Sequence, residues 1–214
     1  MKTSYLILAL LCAACSTATR ETADSLPHKV ASAYGFEHFE EVDEIRYTWN
    51  VRVDSATVRS RSWVWKPSAG EVQYVGADTS LSYFLSDKDS SLNAIDSRFI
   101  NDKYWLLFPF QLAWDTGYDY EVSEGEQAPI SGASATKLTI VYNNEDGYTP
   151  GDAYDLYLDD QFQIKEWVFR RGNGPSGRAM TWENVKDFQG LKITLDHRDE
   201  QGNLALWFSD VEVR

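Results

Sequence analysis

A recurring alternation of apolar and polar residues constrains the fold of this chain more than any other feature. The clearest case runs from Ile45 to Val53, where every second residue is apolar and the intervening ones are Arg46, Thr48, Asn50 and Arg52. A period of two indicates a β-strand with one buried and one solvated face, which is typical of antiparallel sheets.

Eleven candidate strand segments follow one another at regular spacing, separated by turn sequences such as 172–175 and 189–190. They cover residues 45–53, 57–65, 71–75, 80–85, 118–122, 136–142, 153–158, 163–171, 179–183, 191–198 and 204–213. The eight Trp and twelve Tyr agree with this, since aromatic side chains suit a pleated surface. The pattern predicts one large antiparallel sheet or barrel, with short helices at 27–33 and 91–101.

The run NDKYWLLFPFQLAW, residues 101–114, is unusually apolar for such an acidic chain. It must be buried in a core, inserted in a membrane, or available to an apolar ligand. Pro109 interrupts it, and its apolar part is far shorter than the roughly 20 residues that a membrane-spanning helix needs. Burial and ligand contact both remain open at this point.

The first residues predict an export signal, because Lys2 precedes a short apolar segment and then small residues. Ala13-Ala14-Cys15 resembles the bacterial lipobox, with Cys12 where Leu is usual. We therefore expect a lipoprotein signal peptide at 1–14, a lipidated Cys15, a tether at 15–26 and a single domain at 27–214. Ser16 favours sorting to the outer membrane. The alternative is ordinary cleavage near Ala14 or Ala18 and a soluble secreted protein.

The formal net charge of −13 argues against nucleic acid and against anionic lipid headgroups as partners. Any membrane contact is therefore expected through the lipidated Cys15 or an apolar surface. Both Cys residues lie in the first fifteen positions, so the domain has no cysteine for a disulfide.

No pattern of residues indicates catalysis. The three His residues are scattered, without the spacing of a metal site, and there is no nucleophile elbow or phosphate-binding loop. Several carboxylates crowd residues 155–166, but the alternation places Asp155 and Asp159 on a solvated strand face. We expect no enzyme activity, no metal and no cofactor. Trp63 and Trp65 share one strand face and leave a carbohydrate-binding or carbohydrate-active protein as a remote alternative.

The order of these features resembles the bacterial lipoprotein carrier and receptor superfamily, the outer-membrane lipoprotein localisation factors. The resemblance is carried by WVWKP (63–67), SLSYFLS (80–86) and YWLLFPFQL (104–112), after a short helix and a long alternating strand. The nearest similarity is to uncharacterised lipoproteins of Bacteroidetes-type bacteria that share the YWL-x-x-P segment. The resemblance implies a mainly β fold, in which a large curved antiparallel sheet forms an incomplete β-barrel closed by a few short helices.

The resemblance also implies a hydrophobic cavity for an acyl chain or lipid. Its wall and lid are expected to include Tyr47, Trp49, Val51, Tyr104, Trp105, Leu106, Leu107, Phe108 and Phe110. Carriers of this superfamily latch the lid with an Arg before the strand-ending Pro, and that position is Lys66 here. Lys lacks the planar guanidinium group of Arg, so Lys66 is less suited to the latch role that the resemblance implies.

The expected function is binding of an acyl chain or other elongated hydrophobic ligand by a lipid-anchored monomer of the outer membrane that faces the periplasm. A role in lipoprotein or lipid trafficking would follow. The main alternative is a non-enzymatic envelope module with a filled core and a protein partner. A cavity of several hundred Å³ would favour the first, and an exposed apolar patch the second.

Overall fold

The computed structural model of the chain describes residues 25–76, 79–143 and 150–214. The signal peptide expected at 1–14 and the lipidated Cys15 lie outside the described residues.

Two antiparallel sheets form most of the fold. The strands are β1 Ile45–Arg52, β2 Val58–Lys66, β3 Glu71–Val75, β4 Ser80–Phe84, β5 Tyr118–Gln127, β6 Ser134–Tyr142, β7 Ala153–Leu158, β8 Ile164–Arg170, β9 Arg178–Thr181, β10 Glu183–Phe188, β11 Leu191–Arg198 and β12 Leu204–Val213. The α-helices are α1 Leu26–Ala33 and α2 Asn93–Trp114, and short 3-10 helices occupy Phe36–Glu41, Ser90–Leu92 and Arg171–Asn173.

The strands meander in chain order. The first sheet runs β10-β11-β12-β1-β2-β3-β4 and the second β5-β6-β7-β8-β9. Only Trp182 separates β9 from β10, so one length of chain leaves the second sheet and enters the first, as at the corner of an orthogonal barrel. At the other side, no pairing joins β4 to β5 in the described part of the chain. The incomplete barrel expected from the sequence is confirmed.

Strand β10, at the corner between the two sheets, was mostly missed by the prediction from the sequence. The predicted segment 179–183 covers β9 and the turn into β10, but most of β10 was missed. Most of β10 is exposed, and Asn184 has a positive φ of 57° that breaks the two-residue period. A strand without a buried face leaves no alternation to detect.

Helix α1 matches its prediction. Ser25 caps it by accepting a hydrogen bond from the His28 amide, and Pro27 lies in its first turn. The helix ends before Gly35, which adopts a φ of +88°. A Cβ atom there would lie 2.0 Å from the carbonyl oxygen of Gly190, so glycine permits this end of the helix to pack on the turn between β10 and β11.

Helix α2 continues through Pro109 to Trp114, beyond the predicted 91–101. Proline lacks the amide hydrogen and its ring crowds the carbonyl four residues earlier, so an interior proline bends a helix. The bend is taken up at Leu107, whose φ of −120° and ψ of 19° are not helical. The whole apolar run is therefore one kinked helix.

This helix connects β4 to β5 and lies across the inside of the incomplete barrel. Its ring contacts reach both sheets: Phe99 lies 5.5 Å from Trp63 on β2, and Trp105 lies 4.5 Å from Trp167 on β8, between ring centroids. Three aspartates fasten it to the strands. Asp96 accepts a hydrogen bond from β4, Asp102 from β2, and Asp115, the C-cap, from β6.

Candidate ligand-binding cavity

A cavity of about 650 Å³ lies between the first half of α2 and the inner faces of both sheets. It is lined by Trp49, Val51, Ser97, Ile100, Asn101, Tyr104, Trp105, Asp152, Tyr154, Trp167, Phe169, Arg178 and Leu206. Nine of these thirteen side chains are aromatic or aliphatic. The volume lies within the range of small-molecule sites, roughly 300–1,000 Å³.

Strand alternation points the lining residues inward. On β1, Trp49 and Val51 share one face, and Val51 lies directly opposite Leu206 of β12. In the second sheet, Tyr154, Phe169 and Arg178 lie side by side on three successive strands. Residues directly opposite each other in an antiparallel pair lie on the same face, so these contributions converge on one space.

Polarity changes across the cavity lining. The most deeply buried lining residues are apolar, with Trp167 1% exposed and Leu206 3%. The exposed lining residues are polar, namely Ser97, Asn101 and Arg178. A wet rim therefore surrounds an apolar interior, the arrangement expected of a site for an amphiphilic or apolar ligand.

A buried ion pair holds α2 against β2 beside the cavity. Arg61 donates two parallel hydrogen bonds to the Asp102 carboxylate, of 2.8 and 2.6 Å, and the indole N–H of Trp63 adds a third of 2.9 Å. The Arg61 guanidinium also lies 4.0 Å from the ring centroid of Trp49, a cation–π contact with a cavity residue. Burial raises the pKa of Asp102, and the hydrogen bonds from Arg61, Asn101 and Trp63 act in the opposite direction. The bidentate geometry is that of an ionised pair.

The C-terminal part of α2 carries a second polar network. The Asp115 carboxylate accepts hydrogen bonds of 2.8 Å from both Tyr104 and Tyr142. Burial raises the pKa of all three groups, so both phenols stay protonated and keep donating. Because Tyr104 also lines the cavity, this network fixes one side of the cavity wall.

His197 lies under the cavity wall and is fully buried. Its ring centroid is 5.4 Å from that of Trp105 and 4.5 Å from that of Trp182. Its Nδ1 is 3.0 Å from the carbonyl oxygen of Thr181. Burial lowers the pKa of His197 to about 4, so the ring is neutral at physiological pH.

The structure separates the nine predicted cavity and lid residues into two groups. Trp49, Val51, Tyr104 and Trp105 line the cavity. The other five are buried in the core without lining it: Tyr47, Leu106, Leu107, Phe108 and Phe110. Contact of any of them with a ligand stays a prediction.

Lys66 forms an ion pair of 2.8 Å with Glu71, its partner across the β2–β3 hairpin. Its role as a latch stays a prediction. The bidentate contact with α2 is made by Arg61, five residues earlier on the same strand, and sequence reasoning missed it. A signal was present, because Arg61 shares a face with Trp63 and Trp65, and an arginine on the apolar face of a strand requires a partner.

The second sheet supplies lining residues that the sequence reading did not select. They are Asp152, Tyr154, Trp167, Phe169 and Arg178. Alternation marked these segments as strands, but it does not identify which strands of a twelve-stranded fold face the same helix. Trp63 and Trp65, considered for sugar stacking, are 1% and 7% exposed and pack on Phe99, so they offer no free ring face to a carbohydrate.

Among residues 25–76, 79–143 and 150–214, no group of three or more His, Cys, Asp or Glu side chains is placed to hold a metal ion. Within the same residues, no helix has the length and apolar character needed to cross a membrane.

No family model matches the sequence, and no curated protein matches it significantly. Solved structures match across most of the chain at low identity. A DUF1329 family protein from Desulfovibrio piger has a TM-score of 0.46 and 9% identity, covering 88% of this chain and 92% of its own.

Two further matches come from proteins named for lipoprotein sorting. A candidate outer-membrane lipoprotein-sorting protein domain from Vibrio parahaemolyticus has a TM-score of 0.44 and 14% identity, over 86% of this chain and 93% of its own. A LolA superfamily protein from Nitrosomonas europaea has a TM-score of 0.44 and 12% identity, over 90% and 94%. These are likenesses of fold, and the function proposed below rests on the cavity itself.

Proposed function

We propose that the protein binds an acyl chain or another elongated hydrophobic ligand in the cavity, without catalysing a reaction. The supporting observation is a cavity of about 650 Å³ whose interior is apolar and whose exposed rim is polar. Leaving apolar surface in contact with water costs about 25 cal/mol per Å². Filling this cavity with a hydrocarbon chain recovers that free energy.

The proposal extends to the cell envelope. A lipidated Cys15 would hold the protein on the outer membrane facing the periplasm, and the tether at 15–26 would leave the barrel free to take up a ligand. Lipoprotein or lipid trafficking is the role that follows from an anchored binding protein. A filled envelope module is less favoured, since the space beside the first half of α2 is not filled by described residues.

Native mass spectrometry of the protein purified without detergent tests the binding proposal. We expect adducts with the mass of a fatty acid or phospholipid on the wild-type protein. The substitution Val51→Glu places a charge in the cavity lining and is expected to abolish the adducts. Val122→Glu is the matched control, because Val122 is 45% exposed on β5, away from the cavity.

Near-ultraviolet circular dichroism shows whether both variants retain the native packing. A wild-type protein that stays free of adducts after incubation with lipids and acylated peptides would contradict the proposal. So would equal loss of adducts in the two variants.

A further inference from the structure

Arg178 is the one Lys or Arg side chain among the described residues that line the cavity. It opens β9 and is exposed to solvent, and its side chain makes no hydrogen bond or ion pair within the described part of the chain. Arg61, beside the same cavity, is by contrast paired with Asp102. A cation at the rim of an apolar cavity is thus left available to a ligand.

The register of the second sheet relates Arg178 to the apolar interior. Arg178 lies opposite Phe169, which lies opposite Tyr154. The next inward row, two residues along each strand, is Leu156, Trp167 and Met180, none more than 1% exposed. The cavity lining therefore changes from a charged rim to a buried apolar row over two residues of each strand.

Two carboxylates, Asp152 and Asp199, are candidate partners of Arg178, and neither forms an ion pair with it within the described part of the chain. Asp152 lines the cavity, but its Oδ1 accepts a hydrogen bond of 2.7 Å from the Gly172 amide. It precedes β7, two strands from β9, and forms no ion pair with Arg178 among the described residues. Asp199 interacts with Arg178 electrostatically, yet its Oδ1 already accepts from the Gln201 and Asn203 amides.

We propose, resting on the function proposed above, that the ligand is an amphiphile with an anionic headgroup, a carboxylate or a phosphate, bound by Arg178 at the rim. Its hydrocarbon chain lies against Phe169 and Trp167. A guanidinium forms bidentate, charge-assisted hydrogen bonds with either anion. A neutral alcohol or ester cannot form this bidentate, charge-assisted pair of hydrogen bonds.

Displacement of the neutral fluorophore N-phenyl-1-naphthylamine measures the affinity of three ligands with the same chain: laurate, dodecyl phosphate and dodecanol. For the wild-type protein we expect both anions to bind about tenfold more tightly than dodecanol, a difference of about 1.4 kcal/mol. Arg178→Gln should reduce the affinity for both anions to that for dodecanol, with dodecanol itself unchanged. Arg178→Lys should restore part of the preference.

Arg46→Gln is the control, since Arg46 pairs with Glu44 away from the cavity and its loss changes the net charge equally. Stronger binding of dodecyl phosphate than of laurate would assign a phosphate headgroup, and the reverse a carboxylate. Equal affinity of the wild type for all three ligands would overturn the headgroup inference and leave the apolar cavity standing. An equal loss of all three ligands in Arg178→Gln would overturn it too. Failure of the protein to bind any of the ligands or the fluorophore would overturn both proposals.

Discussion

The two halves of α2 differ both in composition and in surroundings: residues 106–114 are apolar except for Gln111, whereas residues 93–105 include four charged side chains. From Asn93 to Trp105 one side of the helix borders the cavity, and from Leu106 to Trp114 no residue does. The second half buries five large side chains, none more than 1% exposed: Leu106, Leu107, Phe108, Phe110 and Leu112. The kink at Leu107 separates the two halves. The comparison shows that the uncharged half is enclosed by the core, whereas the amphipathic half borders a cavity with a polar rim.

The packed half is covered by an N-terminal element. Phe39, in the 3-10 helix after α1, lies 4.7 Å from Trp114 and 5.5 Å from Phe110, between ring centroids. Trp65 of β2 closes the same cluster at 6.1 Å from Phe39. Beside the first half of α2, Phe99 packs on Trp63 and Trp65, but the space bordered by Ile100 and Tyr104 is not filled by described residues. The barrel is thus filled at one end and hollow at the other.

The largest expected effect comes from matched truncations on the two sides of this comparison. Phe108→Ala removes a fully buried ring that packs 4.7 Å from Tyr154, and should lower the free energy of unfolding by about 3–5 kcal/mol. Phe169→Ala should cost about half as much, because Phe169 is half-buried and already borders the cavity. Urea denaturation of both variants gives the comparison. Equal losses would mean that the cavity side is as tightly packed as the core.

The ion pair that holds the first half of α2 gives the next effect. Asp102→Ala leaves Arg61 without its partner at a buried site, and should destabilise the fold by about 3 kcal/mol. Replacing both partners, as in Arg61→Met with Asp102→Leu, should recover most of the loss, because no unpaired charge remains. Chemical denaturation of the single and double variants measures the coupling. A double variant as unstable as the single one would show that packing, not charge, is responsible.

His197, which packs on Trp105 of α2, makes the stability of the fold sensitive to pH. Its folded pKa of about 4 lies below the unfolded value of 6.5, so the folded protein binds fewer protons than the unfolded chain between these values. The stability it confers is complete above pH 6.5 and is lost as pH falls through that window, by about 3 kcal/mol in total. His197→Phe should remove this part of the slope, while the exposed His38→Gln should keep it.

Stability curves at several pH values between 4 and 7 provide the measurement. An identical slope in His197→Phe and wild type would show that carboxylates alone cause the loss.

The smallest expected effect tests whether the cavity has room for a larger side chain. Leu206→Phe adds volume to the cavity lining and should change stability by less than about 0.5 kcal/mol. Leu107→Phe adds the same volume to a fully buried position in the packed half and should cost about 1–3 kcal/mol. Thermal unfolding of the pair distinguishes a hollow end from a filled one. If Leu206→Phe is the more destabilising of the two, the cavity is not available space.

Strand positions were readable from the sequence because most strands bury one face, and the period of two survives wherever that holds. The path of α2 could not be predicted from the sequence, because Pro109 indicates the end of a helix. Only the packing of Leu107 and its neighbours shows that the helix continues after a bend. The distribution of the apolar run between core and cavity was also hidden. A helix that is apolar on all sides gives no periodic signal for which face is covered.

The partners of the charged residues were even harder to predict from the sequence. Asp102 must be paired if it is buried, but the face of β2 that carries its two Trp residues offers both Arg59 and Arg61 as partners, and the sequence does not choose between them. Arg178 was passed over because its neighbours on the cavity face, Phe169 and Tyr154, come from strands that only the register brings together. Sequence reasoning therefore predicted the architecture and part of the cavity wall, while contacts between distant segments required the fold.

The meander has one long-range join, since β1 pairs on one side with β2 and on the other with β12, with Ile45 opposite Val213. β1 and β12 lie at opposite ends of the described strand order along the chain, so one edge of β1 stays unpaired until β12 is available to it. An open strand edge recruits other chains. We therefore expect the pairing of β1 with β12 to form late in folding, and aggregation to be most frequent before it forms.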